Sequence, residues 1–187
     1  SRTATPVTGG RVTPIELGPV PERPDVELLE VLEPDVATMD LAEARRVLGA
    51  GAGLVPPSSD EAEARAVLDL LARVGARLGA STGATRVVTD AGWVGHDRQI
   101  GTTGVAIDPD LYIAFGVSGA SQHTGGLGSP RHVVSVNTDP HCPMTAMADL
   151  GLVTDARALL VELARRLGVA VPEAVAGAGT GERGPDA

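Results

Sequence analysis

Short apolar runs alternate along this chain with a segment whose apolar residues recur at helical spacing. That spacing predicts a helix over residues 61–78, whose apolar face is formed by Ala64, Val67, Leu68, Leu71, Val74 and Leu78. We expect its N-cap at Ser58 or Ser59, since a hydroxyl there can accept from the first free backbone N–H groups. Gly79 to Gly83 should end the helix.

Apolar and β-branched runs predict the strands. They lie at residues 46–54, running into a glycine loop, and at 86–89, 111–117, 132–136 and 150–154. Shorter helices are expected within residues 118–126, at 144–148, and at 156–167 with Asp155 as N-cap. Strands alternating with helices are typical of βαβ units, so the sequence predicts an α/β fold with a parallel sheet and right-handed crossovers.

The two ends of the chain differ from this central part. Residues 1–35 are rich in Pro, Thr, Glu and Gly, and we interpret them as a linker or the end of a preceding domain, with one candidate edge strand at 26–32. Residues 169–187 lack periodicity and are expected to form a disordered tail. Because the chain begins with Ser1 rather than Met, we expect it to be part of a longer protein.

Composition narrows the possible functions. Acidic residues outnumber basic ones by 24 to 15, and the net charge of −9 disfavours binding to a nucleic-acid backbone. The single cysteine excludes an internal disulfide and suits a reducing compartment. No apolar run approaches the roughly 20 residues of a membrane-spanning helix, and no secretory leader is present. We therefore expect no membrane insertion and a soluble, cytoplasmic protein.

Loops rich in Gly, Ser and Thr follow the predicted strands, as nucleotide-binding loops do in open α/β sheets. The first, Gly49-x-Gly51-x-Gly53, fits either a tight turn or backbone contact with a phosphate, and it departs from the dinucleotide fingerprint G-x-G-x-x-G. The loop from Gln99 to Gly104 fits either a ligand contact or an ordinary surface turn.

The segment from Ser118 to His123 follows the most apolar predicted strand. Its N–H groups suit phosphate oxygens. A serine-hydrolase elbow, G-x-S-x-G, is the competing interpretation, although Ala120 occupies the place of the last glycine. Arg86 pairs with Asp90 or faces an electron-rich ligand, and His123 is either a ligand donor or a helix residue bonded to backbone. The histidines show no zinc-ligand spacing.

Several motifs in unbroken order resemble the electron transfer flavoprotein alpha subunit, specifically its C-terminal FAD-binding domain. They are Arg86-Val-Val-Thr-Asp-Ala-Gly-Trp, Gln99-Ile-Gly-Thr-Thr-Gly, Leu111-Tyr-Ile-Ala, Gly116-Val-Ser-Gly-Ala-Ser-Gln-His and Asn137-Thr-Asp-Pro. The resemblance implies a Rossmann-like, doubly wound parallel sheet with helices on both faces, spanning residues 36–168 and binding FAD. It also implies a missing N-terminal domain, a beta subunit, an electron-donating dehydrogenase and a downstream electron acceptor.

The resemblance also implies roles for individual residues. Thr85 and Arg86 would lie near the flavin ring, and Thr103 would hydrogen-bond its N5. The rest of that loop would contribute Gln99, Ile100, Gly101, Thr102 and Gly104. Ser118, Gly119, Ala120, Ser121 and Gln122 would bind the pyrophosphate and ribityl chain, and His123 the pyrimidine carbonyl. The adenosine end would be bound by Asn137, Asp155 and Ala156.

Two positions depart from the family pattern. Ala52 stands where the first loop of the family, Ser-Gly-Gly-Arg-Gly, has Arg, and Thr102 stands where the family has Gln. Loss of a cation near a flavin should weaken binding of its anionic forms and lower its potential. The alternatives left by the residues themselves are an NAD(P)-binding domain without flavin and a hydrolase with Ser118 as nucleophile.

Overall fold

Residues 40–176 are described by a computed structural model of the chain. The candidate edge strand at 26–32 and the expected linker at 1–35 lie outside this described part. None of the helices within residues 40–176 combines the length and the apolar character needed to cross a bilayer.

Five parallel strands form a single sheet in the described part of the chain. They are β1 (Arg46–Ala50), β2 (Ser81–Ala84), β3 (Leu111–Phe115), β4 (His132–Asn137) and β5 (Leu150–Val153). Their order in the sheet is β2-β1-β3-β4-β5, so the direction of winding reverses between β1 and β3. This is a doubly wound, Rossmann-like sheet, which confirms the predicted fold class.

Six α-helices accompany the sheet in residues 40–176. They are α1 (Glu61–Leu78), α2 (Arg86–Asp90), α3 (Ser121–Thr124), α4 (Pro143–Met147), α5 (Ala156–Arg166) and α6 (Glu173–Ala176). One face of the sheet packs against α1 and α5 through residues such as Leu48, Phe115 and Leu160. On the other face, Val47 of β1 and Tyr112 of β3 belong to a second core cluster with Met144 of α4. Helices therefore cover both faces, as predicted.

Helix α1 has the predicted bounds but a different N-cap. The carboxylate of Asp60 accepts from the backbone N–H of Glu63, whereas Ser58 and Ser59 lie before the cap. Asp60 has the extended backbone of an N-cap and directly precedes the first helical residue, so its side chain reaches the free N–H groups. The cap of α5 is Asp155, as predicted, and its side chain accepts from Ala158 N at 2.8 Å.

The predicted strand at residues 86–89 is wrong. That segment is helix α2, and the strand is the preceding Ser81–Ala84, which pairs with β1. β-branched composition favoured the wrong segment because the true strand contains small residues. The reason lies in packing, since a Cβ at Gly83 would approach the Ile100 side chain to 2.6 Å, so this position of the strand has no room for a side chain.

The predicted tail does not begin at residue 169. Val169 and Val171 pack against the cluster of α1 and α5, and Val175 in α6 is buried. Aperiodic Pro- and Ala-rich sequence predicts disorder, but a few apolar side chains are enough to hold this segment on α1. Residues 177–187 lie outside the described part.

Candidate functional site

A cavity of about 570 Å³ opens at the carboxyl ends of the strands, beside the point where β1 and β3 reverse the winding. This is where open α/β sheets bind ligands, because two adjacent strand-end loops diverge there. The loops after β1, β2 and β3, the loop around residue 100 and the end of β4 all contribute to its wall. Its volume lies in the range of small-molecule sites.

The glycines after β1 mainly allow close packing. A Cβ at Gly51 would collide with the backbone of Gly116, and Gly53 N–H donates to the Gly116 carbonyl at 2.9 Å. Gly49 leaves space for the hydroxyl of Tyr112. Gly51 therefore serves the tight turn, Gly49 makes room within β1 itself, and Ala52 and Gly53 line the cavity.

The loop after β3 presents unpaired backbone donors. Within the described residues, the successive N–H groups of residues 118–122 donate to no protein acceptor. The loop is held from behind, because Met144 N–H donates to the Ser118 carbonyl at 3.1 Å and the Asn137 amide donates to the Val117 carbonyl at 3.0 Å. Ser118, Ala120 and Gln122 line the cavity. A row of free N–H groups on a fixed loop suits the oxygens of an anion.

Side chains on α2 and just before it form a second wall. Thr85 lines the cavity, and its hydroxyl oxygen is buried without a hydrogen-bond partner. Because a buried hydroxyl without a partner is costly, this atom indicates a ligand contact. Arg86 Nε lies 3.1 Å from the Asp90 carboxylate, and both residues also line the cavity. Both interpretations of Arg86, pairing with Asp90 and facing a ligand, are therefore compatible with its position.

The loop around residue 100 forms a third wall with Gln99, Ile100, Gly101 and Thr103. Thr102 N–H donates to the Gln122 carbonyl at 2.8 Å, which ties this loop to α3. Neither Thr102 nor Gly104 lines the cavity, and both are exposed. Gly119 and Ser121 belong to the loop of residues 118–122 but also stay outside the lining.

Asn137 reaches the cavity, whereas Asp155 and Ala156 do not. Asp155 is the exposed cap of α5, and Ala156 is buried in the core beneath it. Asp155 and Ala156 follow β5, which pairs with β4. Asn137 ends β4, and its carbonyl accepts from Thr154 N–H at 3.1 Å. These two predicted site residues therefore lie farther along the same sheet edge.

His123 is buried with both ring nitrogens engaged. Nδ1 lies 3.2 Å from the Ile100 carbonyl, which can only accept, so Nδ1 carries the proton. Nε2 then accepts from the Tyr112 hydroxyl at 2.8 Å. Burial lowers the pKa of His123, against a smaller opposing effect of the Ile100 bond, and burial raises the pKa of Tyr112. The pair is therefore neutral, with Tyr112 as the donor.

The charges in the lining cancel. Arg86 and Asp90 are its formally charged residues, since His123 is neutral, and they pair with each other. Ala52 adds no charge at the place where the resembled family has Arg. An anionic ligand would therefore depend on the backbone N–H groups of residues 118–122 rather than on a free cation. Within residues 40–176, no cluster of three or more His, Cys, Asp or Glu side chains could hold a metal ion.

Comparison with known proteins decides between the nucleotide-binding interpretations. Residues 40–128 match the family model of the electron transfer flavoprotein FAD-binding domain. The chain is 43% identical over 133 residues to the mitochondrial electron transfer flavoprotein subunit alpha of Oryza sativa subsp. indica, covering 71% of this chain and 35% of the relative. The chain belongs to the electron transfer flavoprotein alpha-subunit family. Its cofactor is FAD.

A bacterial relative gives the same result. The electron transfer flavoprotein subunit alpha of Paracoccus denitrificans is 38% identical over 138 residues, covering 74% of this chain and 42% of the relative. The chain thus spans well under half the length of these relatives.

The cavity suits the cofactor of an electron transfer flavoprotein FAD-binding domain. The free N–H groups of residues 118–122 match the chemistry of a pyrophosphate, and the unpartnered Thr85 hydroxyl can bond a polar ring atom. Ile100, Val87 and Val117 supply apolar surface for a flat ring. Sequence reasoning did not assign Val87, Asp90, Gly116 and Val117 to the site. The assignment of 86–89 to a strand hid the first two.

Proposed function

We propose that this chain carries electrons through FAD bound in the cavity between the ends of β1 and β3. In this proposal the flavin accepts electrons from a dehydrogenase and passes them to a downstream acceptor, in a heterodimer with a beta subunit. The observation that carries it is the row of free N–H groups on the loop of residues 118–122, next to a largely apolar wall. The bound FAD supplies the redox chemistry, and no side chain is proposed as catalytic.

In this proposal the residues of the protein bind FAD and orient it. The loop of residues 118–122 binds the pyrophosphate and ribityl chain, and Asn137 with Asp155 and Ala156 contacts the adenosine end. Thr85, Arg86 and the loop from Gln99 to Gly104 lie against the ring. We assign residues 36–168 to the FAD-binding domain and residues 1–35 to the end of a preceding domain. The proposed location is the cytoplasm, without membrane insertion or nucleic-acid partner.

The proposed role of His123 changes in view of its bonds. With its proton held by Ile100 and its lone pair by Tyr112, His123 offers no free ring nitrogen. We propose that it fixes the loop of Ile100 against β3 and contacts FAD through another part of the residue. The same bonds weaken the hydrolase alternative, because His123 cannot act as base for Ser118. The NAD(P) alternative lacks a placed acidic ribose ligand, because the position about 20 residues after the first glycine loop falls within helix α1.

The test is electron acceptance by the reconstituted protein. The full chain with its beta subunit and FAD is mixed anaerobically with catalytic amounts of single flavin dehydrogenases, each with its own substrate. With the right donor, the visible flavin absorbance should bleach at a rate proportional to the dehydrogenase concentration and return when an electron acceptor dye is added. An FAD-loaded protein that no dehydrogenase reduces, although dithionite does, would contradict the electron-carrier proposal.

A further inference from the structure

Two buried polar side chains lead from the interior to Thr103, and the second of them, Gln99, lines the cavity. Thr89 and Gln99 are each about 3% exposed. The Thr89 hydroxyl lies 2.7 Å from the Gln99 amide, whose other end lies 3.0 Å from the Thr103 hydroxyl. Thr103 ends this chain of hydrogen bonds in the lining of the cavity. This chain of hydrogen bonds connects the interior of the domain to the cavity.

This chain of hydrogen bonds can run in either direction. In one, Thr89 donates to Gln99 Oε1 and Gln99 Nε2 donates to Thr103, which leaves the Thr103 hydrogen free to face the cavity. A half-turn of the Gln99 amide exchanges its oxygen and nitrogen at the same positions. Thr103 then donates to Gln99 and presents lone pairs to the cavity.

Thr89 makes the reversal possible because it has two acceptors within reach. Its hydroxyl also lies 3.0 Å from the Arg86 carbonyl. When Gln99 turns its N–H towards Thr89, the Thr89 hydrogen moves to that carbonyl, and every bond keeps one donor and one acceptor. Neither direction of the hydrogen bonds leaves Thr89, Gln99 or Thr103 without a partner. The free energies of the two arrangements are therefore close.

We propose that Thr89 and Gln99 are positioning residues that let the Thr103 hydroxyl either donate to the bound cofactor or accept from it. This inference rests on the proposed function, since FAD is a ligand with the matching property. Bound FAD would offer ring nitrogens that accept in its oxidised form, and N–H groups that donate once it has taken up two electrons and two protons. The electrons would come from the proposed dehydrogenase and the protons from solvent.

The Thr89→Val variant should lock the direction. Without the hydroxyl, a reversed Gln99 would bury an unpaired N–H against valine, which proteins tolerate less than an unpaired carbonyl. Gln99 should then keep its N–H on Thr103, and Thr103 should remain a donor. Binding should shift towards oxidised FAD, with the ratio of affinities for reduced and oxidised FAD falling about tenfold. For a two-electron couple this lowers the midpoint potential by about 30 mV.

The experiment compares midpoint potentials of the full chain with its beta subunit and FAD, measured against reference dyes, and dissociation constants for oxidised FAD. Thr89→Ser keeps the hydroxyl and should keep the wild-type potential. Thr82→Val makes the same change outside the cavity and should also leave the potential unchanged. Thr89→Ala removes the hydroxyl with less bulk and replaces Thr89→Val if that variant does not fold.

The outcomes separate the two proposals. If the wild-type protein binds no FAD, the proposed function fails. If it binds FAD but the variant that lacks the Thr89 hydroxyl keeps the wild-type potential, the positioning role is overturned while the proposed function stands. A lowered potential in Thr89→Ser as large as in Thr89→Val would also overturn it, since the hydroxyl would then not be the cause.

Discussion

An Ala120→Phe variant is expected to lose FAD affinity by about 100-fold or more, because the added ring would occupy the site and overpacking costs of this kind reach about 3 kcal/mol. Ala120 lines the cavity and is exposed in the free protein, so the larger side chain has room when no ligand is bound. Its extended backbone, with φ −55° and ψ 147°, suits Phe as well as Ala. The fold should therefore survive. Flavin fluorescence measured during FAD titration gives the dissociation constant.

The matched control for this variant is Ala76→Phe. Ala76 is exposed near the end of α1, which leads into the start of β2 and so lies at the opposite edge of the sheet. It should bind FAD like the wild-type protein. Equal affinities of the Ala120→Phe, Ala76→Phe and wild-type proteins would place the FAD site elsewhere.

A Gly116→Ala variant should be destabilised by about 3 kcal/mol or more, since both backbone strain and a clash contribute. Gly116 has φ +64°, and a Cβ there would lie 2.6 Å from the Gly53 Cα and still closer to the Leu54 nitrogen. Backbone atoms cannot give way as a flexible side chain can. The loops after β1 and β3 would have to separate, which also opens the cavity. Urea denaturation of the variant and the wild-type protein measures the change.

Gly92→Ala isolates the strain from the clash. Gly92 has φ +78°, and a Cβ there would have no neighbour within 4 Å. The Gly92→Ala variant should lose about 1 kcal/mol of the free energy of unfolding, which is the penalty for an alanine in the left-handed region. If Gly116→Ala is no more destabilising than Gly92→Ala, the close packing of the two loops does not hold the site together.

Periodicity predicted those elements that bury an apolar face by themselves. Helix α1 was predicted with its bounds, because its apolar residues recur at helical spacing and form the face that is buried in the core. Strand β3 was visible because Leu111 to Phe115 is apolar and lies in the middle of the sheet. In both cases local composition and tertiary packing favour the same structure.

Strand β2 could not be found in this way. Its third residue is a glycine because Ile100 and Leu41, both distant in sequence, lie over Gly83. The next segment has β-branched residues, yet it forms α2, with an Arg86–Asp90 pair one turn apart. Tertiary contacts override β propensity here.

Part of the site could likewise be predicted from sequence, and part could not. Loops rich in Gly, Ser and Thr after the strands were predicted from sequence, and three of them line the cavity, after β1, around residue 100 and after β3. The bonds of His123 were not predictable, because its partners Tyr112 and Ile100 come from segments 11 and 23 residues away. Sequence alone left His123 as either a ligand donor or a helix residue bonded to backbone, and the structure favours the second.

The most direct test of FAD binding is a titration of the wild-type chain with FAD, followed by visible absorbance and repeated with the beta subunit present. We expect saturable binding of one FAD per chain in at least one of the two conditions, and no competition by NADP⁺. Absence of FAD binding in both conditions, from a chain shown by circular dichroism to be folded, would contradict the proposed function.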